Sequence, residues 1–248
     1  MKSALAALLI AVAILPPVYG KDDYHGLPPA GAAAQGAALL AVCAACHGMN
    51  GIGMSPSHPN LAGQGYNYIL KQLENFRSGA RKSSIMNGMA MTIPPSPKHA
   101  NLKAIAAYFS QLKPMWTYAA VGQAPATAAQ LKLGQIIYQR GNAAEGLPAC
   151  AACHALNGEG NGPMAIPALA GQHAPYMLGE LQRFASGRRT NSPGQVMYTI
   201  ARAMTPDEEN AVIAYLAALQ PDRVLGTGPK NFTAYALLHG APSASKVH

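Results

Sequence analysis

The chain has 248 residues, half of them apolar and only 11% charged, with a formal net charge of +8. That is enough apolar material for one large core or two small ones, and it excludes a disordered chain, which needs low hydrophobicity and high charge. The excess of positive charge is mild, and no Lys/Arg cluster exceeds Arg188-Arg189, so nucleic acid is excluded as a partner.

The first twenty residues carry one lysine, Lys2, then an apolar run from Ala4 to Leu15, then Val18 and Gly20 before Lys21. This pattern predicts a signal peptide over 1–20 and an exported mature chain with a short leader over 21–30. The apolar run of 12 residues is short of the roughly 20 that a spanning helix needs, so an uncleaved anchor is the weaker alternative. Without this segment 17 basic groups face 10 acidic ones, and a mildly basic surface suits acidic docking sites on partner proteins.

Helical segments follow. Ala32 to Ala45 and Ala128 to Gln139 are alanine-rich or amphipathic runs free of proline, and each leads toward a Cys-x-x-Cys-His. Tyr66, Leu70, Leu73 and Phe76 fall three to four apart, as do Met177, Leu181 and Phe184 after the adjacent Tyr176, and glycine stops both runs at Gly79 and Gly187. A third helix in each half runs over about 102–112 and 206–219, the latter with Thr205 as N-cap and Pro206 at its first position. Period-two alternation is lacking, so an all-α fold is expected.

The segments repeat. Cys43-Ala44-Ala45-Cys46-His47 recurs 107 residues later as Cys150-Ala151-Ala152-Cys153-His154. From 61 to 81 the offset is 108, and 11 of 21 positions are identical, including both LAGQ segments. The chain is therefore read as two copies, with domains over 31–112 and 126–220, a Pro/Gly-containing linker over 113–125 and a tail over 221–248 that has no counterpart in the first copy. Each copy is a small domain whose limited core needs reinforcement.

In Cys-x-x-Cys-His two thiols lie on one helical turn, where both can add to the vinyl groups of one haem while the next residue offers imidazole to the iron. A zinc site would need the two pairs to converge, and a repeat puts each in its own domain. A thioredoxin-like motif belongs beside a βαβ pattern, and plain disulfides leave the adjacent histidines unexplained. Two haem c groups are expected, one on Cys43, Cys46 and His47 and one on Cys150, Cys153 and His154.

The two haem motifs, the LAGQ segments, the Y-x-L-x-x-(Q/E)-L-x-x-F-x-x-G runs and the terminal A-Y-(F/L) helices together resemble the cytochrome c4 family over roughly residues 31–220. The resemblance implies two tandem cytochrome c domains related by pseudo-twofold symmetry, each enclosing one covalently bound haem, in a periplasmic electron carrier. It implies His and Met axial ligands, and transfer of electrons from a quinol-oxidising cytochrome complex toward a terminal oxidase. Pro59 and Pro167, just ahead of the LAGQ segments, resemble the proline whose carbonyl orients the proximal histidine. Departures from the pattern are the tail, an apparent insertion at Pro94 to Pro97, and few acidic residues.

For the sixth ligands, Met197 opens MYTIARAM and is the choice in the second copy. The first copy offers three methionines in MNGMAMTI. Met86 has an apolar residue three later, Ala90 four later and Ile93 seven later, as Met197 has Ile200, Ala201 and Met204, so Met86 is preferred to Met89 and Met91.

Rival readings are a di-haem peroxidase or sulfur-compound dehydrogenase, with His58 or His99 as a ligand in the first domain, and a haem-bearing subunit held to a membrane complex by the tail or an uncleaved N-terminus. His25, His58, His99, His173, His239 and His248 have no repeat partner, and most are expected at the surface. Tyr68, Tyr108, Tyr176 and Tyr215 read as core. Ten acidic residues in the whole chain predict unusual acid tolerance.

Overall fold

The computed structural model describes residues 27–114 and 126–219, and the expected signal segment, nearly all of the linker and the tail lie outside the described residues. Residues 27–114 form α1 (Ala32–Ala38), α2 (Ala41–His47), α3 (Tyr66–Ser78), α4 (Met86–Thr92) and α5 (Ala100–Gln111). Residues 126–219 form α6 (Ala128–Arg140), α7 (Ala151–His154), α8 (Ala174–Ala185), α9 (Val196–Ala203) and α10 (Pro206–Ala218). Among the described residues the only β pairings are isolated bridges, Asn142 with Leu147 and Asn161 with Ile166.

The two halves have separate cores. Leu40, Leu70, Leu102, Ile105 and Phe109 centre the first, and Leu131, Tyr138, Val212, Leu216 and Leu219 the second. In each, the first and last helices cross at a glycine. A Cβ built on Gly36 would lie 2.1 Å from the Ala104 carbonyl oxygen, and one on Gly134 would lie 2.0 Å from that of Ala211. Only glycine lets the backbones of α1 and α5, and of α6 and α10, approach this closely.

Local signals act at the expected ends. Gly79 takes the left-handed conformation that closes α3. Thr205 and Glu208 form a reciprocal capping box at the start of α10, and Thr127 and Gln130 do the same for α6.

One expectation is corrected. The run from Ala32 to Ala45 is not one helix but breaks at Leu39 and Leu40, where the buried Leu40 side chain anchors the turn and re-aims α2. The second domain's α6 runs as expected, ending at Arg140, and a bridged loop after Gly141 separates it from the single turn of α7. Helices α4 and α9, which carry the candidate methionines, were not apparent from the periodicity.

Candidate functional site

Each domain folds its Cys-x-x-Cys-His against the loop that follows it. His47 ends α2 and His154 ends α7, and both rings are only 7% exposed. His47 Nδ1 lies 2.9 Å from the Pro59 carbonyl oxygen, and His154 Nδ1 lies 3.0 Å from that of Pro167. A carbonyl can only accept, so each ring carries its proton on Nδ1 and keeps a lone pair on Nε2. Burial disfavours the imidazolium and lowers both histidines from their usual range despite the opposing pull of the proline carbonyls, with nearby His58 lowering His47 further.

A cavity of about 1430 Å³ runs through both domains. It is lined by Cys43, Cys46, His47 and Met86 in the first domain and by Cys150, Cys153, His154 and Met197 in the second. None of the four cysteines is paired in a disulfide, so every sulfur is available for a thioether bond. Burial raises the Cys43 thiol, and pushes Cys150 up to about 11. The donor set fits a haem in each half, with two thiols and a neutral, oriented imidazole facing one apolar space.

The two methionine helices are built alike. The Met86 N–H donates to Ser83 Oγ at 3.1 Å, and the Met197 N–H donates to Ser192 Oγ at 3.3 Å. Both side chains are half-buried, and the alanine four residues later, Ala90 or Ala201, is buried in each case. Met89 also lines the cavity but is 37% exposed, and Met91 is more exposed still. Arg77 of α3 ties down the end of α4 through the carbonyls of Ala90 and Ile93. The proline-rich segment after α4 is pinned by Asn101, whose N–H donates to Ser96 Oγ and whose Nδ2 donates to the Pro94 carbonyl.

The histidines divide. His99 is at the surface, 2.6 Å from Glu74. His173, one of the six of which most were expected at the surface, is only 5% exposed, because its ring meets the first domain, where its Nδ1 donates to the Ser55 carbonyl at 3.0 Å. His58 lines the cavity beside Pro59, its ring centroid 6.2 Å from that of His47. His25, His239 and His248 lie outside the described residues.

Between the domains lies a set of polar contacts that the sequence reading did not find. The Gln172 side chain brackets the backbone of Asn60, accepting from its N–H at 2.8 Å and donating to its carbonyl at 2.9 Å. Gln64 does the same to Ala168, at 2.9 Å and 3.0 Å. These are the glutamines of the two LAGQ segments, and positions 60 and 168 are themselves separated by the repeat offset of 108. Tyr68 and Tyr176, read as core, instead reach across the same boundary to Arg189 and Arg81. Tyr215 is core, and the Tyr108 hydroxyl donates to the Met49 carbonyl.

Charge is divided unevenly. Residues 27–114 hold seven Lys/Arg and one acidic residue, whereas 126–219 hold six of each.

The Cytochrome c family profile matches residues 33–113 and 131–220. Cytochrome c4 of Azotobacter vinelandii is 36% identical over 229 residues, covering 88% of this chain and all of that protein. A protein of Thiomonas intermedia (strain K12) named thiosulfate dehydrogenase electron acceptor is 36% identical over 179 residues, covering 72% of this chain and 78% of its own length. Among solved structures, reduced recombinant cytochrome c4 from Pseudomonas stutzeri superposes with a TM-score of 0.67 at 35% identity, covering 76% of this chain and 98% of that one.

Proposed function

Because the chain belongs to the cytochrome c family and within it to the di-haem cytochrome c4 proteins, with two covalently bound haem c groups, we propose that it is a periplasmic shuttle between redox complexes rather than an enzyme. Cys43 and Cys46 hold one haem by thioether bonds, and Cys150 and Cys153 hold the other. His47 and His154 bind the irons through Nε2, and the carbonyls of Pro59 and Pro167 fix the rings and keep them neutral. Met86 and Met197, on the wall of the same cavity, would each supply a thioether sulfur to an iron. When bound, the haem iron supplies one-electron chemistry. A soft, unreactive thioether from each methionine would leave no open site on the iron, so that an electron could pass without a change of ligands.

The observation that carries this reading is the repeated arrangement of Met86 and Met197, each half-buried at the start of a short helix, on the cavity wall, above a buried alanine. It supports two closed irons and speaks against a peroxidase-type centre. Residues 31–112 and 126–220 act as the two electron-carrying domains, and residues 1–20 serve as the export signal. The donor is a quinol-oxidising cytochrome complex and the acceptor a terminal oxidase. The likeness to a thiosulfate dehydrogenase electron acceptor favours a sulfur-compound dehydrogenase as a second donor.

Exposure of the reduced protein to carbon monoxide tests the central claim. Neither haem should change its spectrum, and full reduction should take two electrons per chain. Carbon monoxide binding to the unaltered protein would make it an enzyme with an open iron instead.

A further inference from the structure

At the domain boundary the repeat is kept at the arginines, phenylalanines and tyrosines of a buried cluster and is broken at the pair that both arginines share. Arg81 stacks on Phe76 at 4.6 Å and Arg189 on Phe184 at 4.4 Å. Each guanidinium then reaches the tyrosine of the other domain, Arg81 to Tyr176 at 3.1 Å and Arg189 to Tyr68 at 3.2 Å. These pairs all obey the offset of 108. The same offset sets Gln72 against Glu180, an amide against a carboxylate.

Both arginines touch both members of that pair. Gln72 Oε1 accepts from Arg81 at 2.9 Å and from Arg189 at 3.2 Å. Glu180 Oε2 lies 3.0 Å from Arg81 and 2.7 Å from Arg189, and its Oε1 is 2.7 Å from Arg183. The two arginines are 6% and 7% exposed, so their charges are poorly screened by water. Gln72, Arg81, Glu180 and Arg189 all line the cavity that contains His47 and His154. The cluster thus carries two buried cations and one anion, and the anion is shared between an arginine of each domain.

We propose that Glu180 is a positioning residue for electron transfer that sets the reduction potentials of both haems together, while Gln72 withholds a second negative charge from the same spot. A ferric haem carries one more positive charge than a ferrous one, so an anion in the cavity wall stabilises the oxidised form and lowers the potential. Because the carboxylate bridges an arginine from each domain, its influence falls on both irons in the same direction. The inference rests on the presence of two haems and is independent of which complexes donate and accept.

Four full-length holoproteins test it by redox titration: the unaltered chain, Glu180→Gln, Gln72→Glu, and the double exchange Gln72→Glu/Glu180→Gln. Both potentials should shift upward in Glu180→Gln and downward in Gln72→Glu, and both should return toward their starting values in the double exchange. A brace with no electrostatic effect on the haems would weaken domain contact without this reversal. Unchanged potentials in both single variants, a shift confined to one haem, or a double exchange that does not restore them would overturn the assignment. The unaltered chain in the same titration counts the redox centres, so a failure of the two-electron carrier reading would be seen separately. Gln72→Glu gives its shift even where Glu180→Gln folds poorly.

Discussion

Gln172 grips Asn60 by both of its main-chain polar groups, taking a hydrogen bond from its N–H and giving one to its carbonyl. One side-chain amide thereby replaces a partner strand, and the second domain is bonded to the main chain of the first. Gln64 repeats the grip in the other direction on Ala168.

Replacing Gln172 by Ala deletes its two buried hydrogen bonds to Asn60, and a third from the His173 N–H, and leaves the Asn60 N–H and carbonyl unsatisfied, at a cost of about 1–3 kcal/mol. The expected outcome is a lower denaturation midpoint with both haems still attached. Gln64→Ala should behave alike, and the double variant should unfold in two separate transitions, one per domain. Denaturant unfolding followed by haem absorbance and by circular dichroism would read all three. A single sharp transition in the double variant would show that the glutamines do not couple the domains.

Met86→Ala should abolish the sulfur-to-iron charge-transfer signal of one haem and open that iron to carbon monoxide, leaving the other unaffected. Met89→Ala should leave both signals in place. Optical and magnetic spectra of the two variants decide the matter, and loss of the signal in Met89→Ala alone would transfer ligation to Met89.

Gly134→Ala places a methyl group 2.0 Å from the Ala211 carbonyl oxygen, a contact that α6 and α10 can relieve only by moving apart. Overpacking of this kind costs about 1–3 kcal/mol or more. A lower melting temperature and a lower yield of haem-loaded protein are expected, while Gly162→Ala, where a Cβ meets nothing within 4 Å, should melt as the unaltered chain does.

Acid should act late. Burial raises the Glu180 carboxyl, but Arg81 and Arg189 more than offset this and hold it below the usual glutamate range. A carboxylate depressed in the folded state stabilises the fold fully above its unfolded pKa, and that stabilisation disappears as the pH falls through the depressed value. With six acidic residues in 126–219 and one in 27–114, few other groups resist protonation. The haem absorbance should therefore persist below about pH 5, where ordinary carboxylate-stabilised domains begin to fail. A pH titration that shows loss near that value contradicts this, and Glu180→Gln should flatten whatever acid transition remains.

The covalent motifs and most helices were legible because they depend on residues close in the sequence. Gly79 and Thr205 are local signals, and they end or start helices where expected. Helices α4 and α9 escaped because each is only seven or eight residues long, too short to display a period. The glutamine grips were invisible for a different reason: their partners are backbone atoms, which have no residue type to recognise. Exact repetition of LAGQ was the available signal, since a loop identical in both copies carries a shared constraint. Tyr68 and Tyr176 show a related limit, because periodicity identifies a face that will be buried without saying what will bury it. His173 departs from the surface position expected of most unrepeated histidines on the same ground, since its ring is bonded to Ser55 of the other domain.

The uneven division of charge makes the molecule a dipole, with seven basic groups against one acid at one end and six against six at the other. Each haem brings two propionates, which lowers both ends equally and preserves the difference. In the field of an acidic partner such a body experiences a torque before contact, turning its first domain forward. The haem of that domain then meets the partner first, and the second domain trails as a reservoir. Salt shortens the reach of that torque to about 8 Å at physiological ionic strength, so the directional preference belongs to the last few ångströms of the approach.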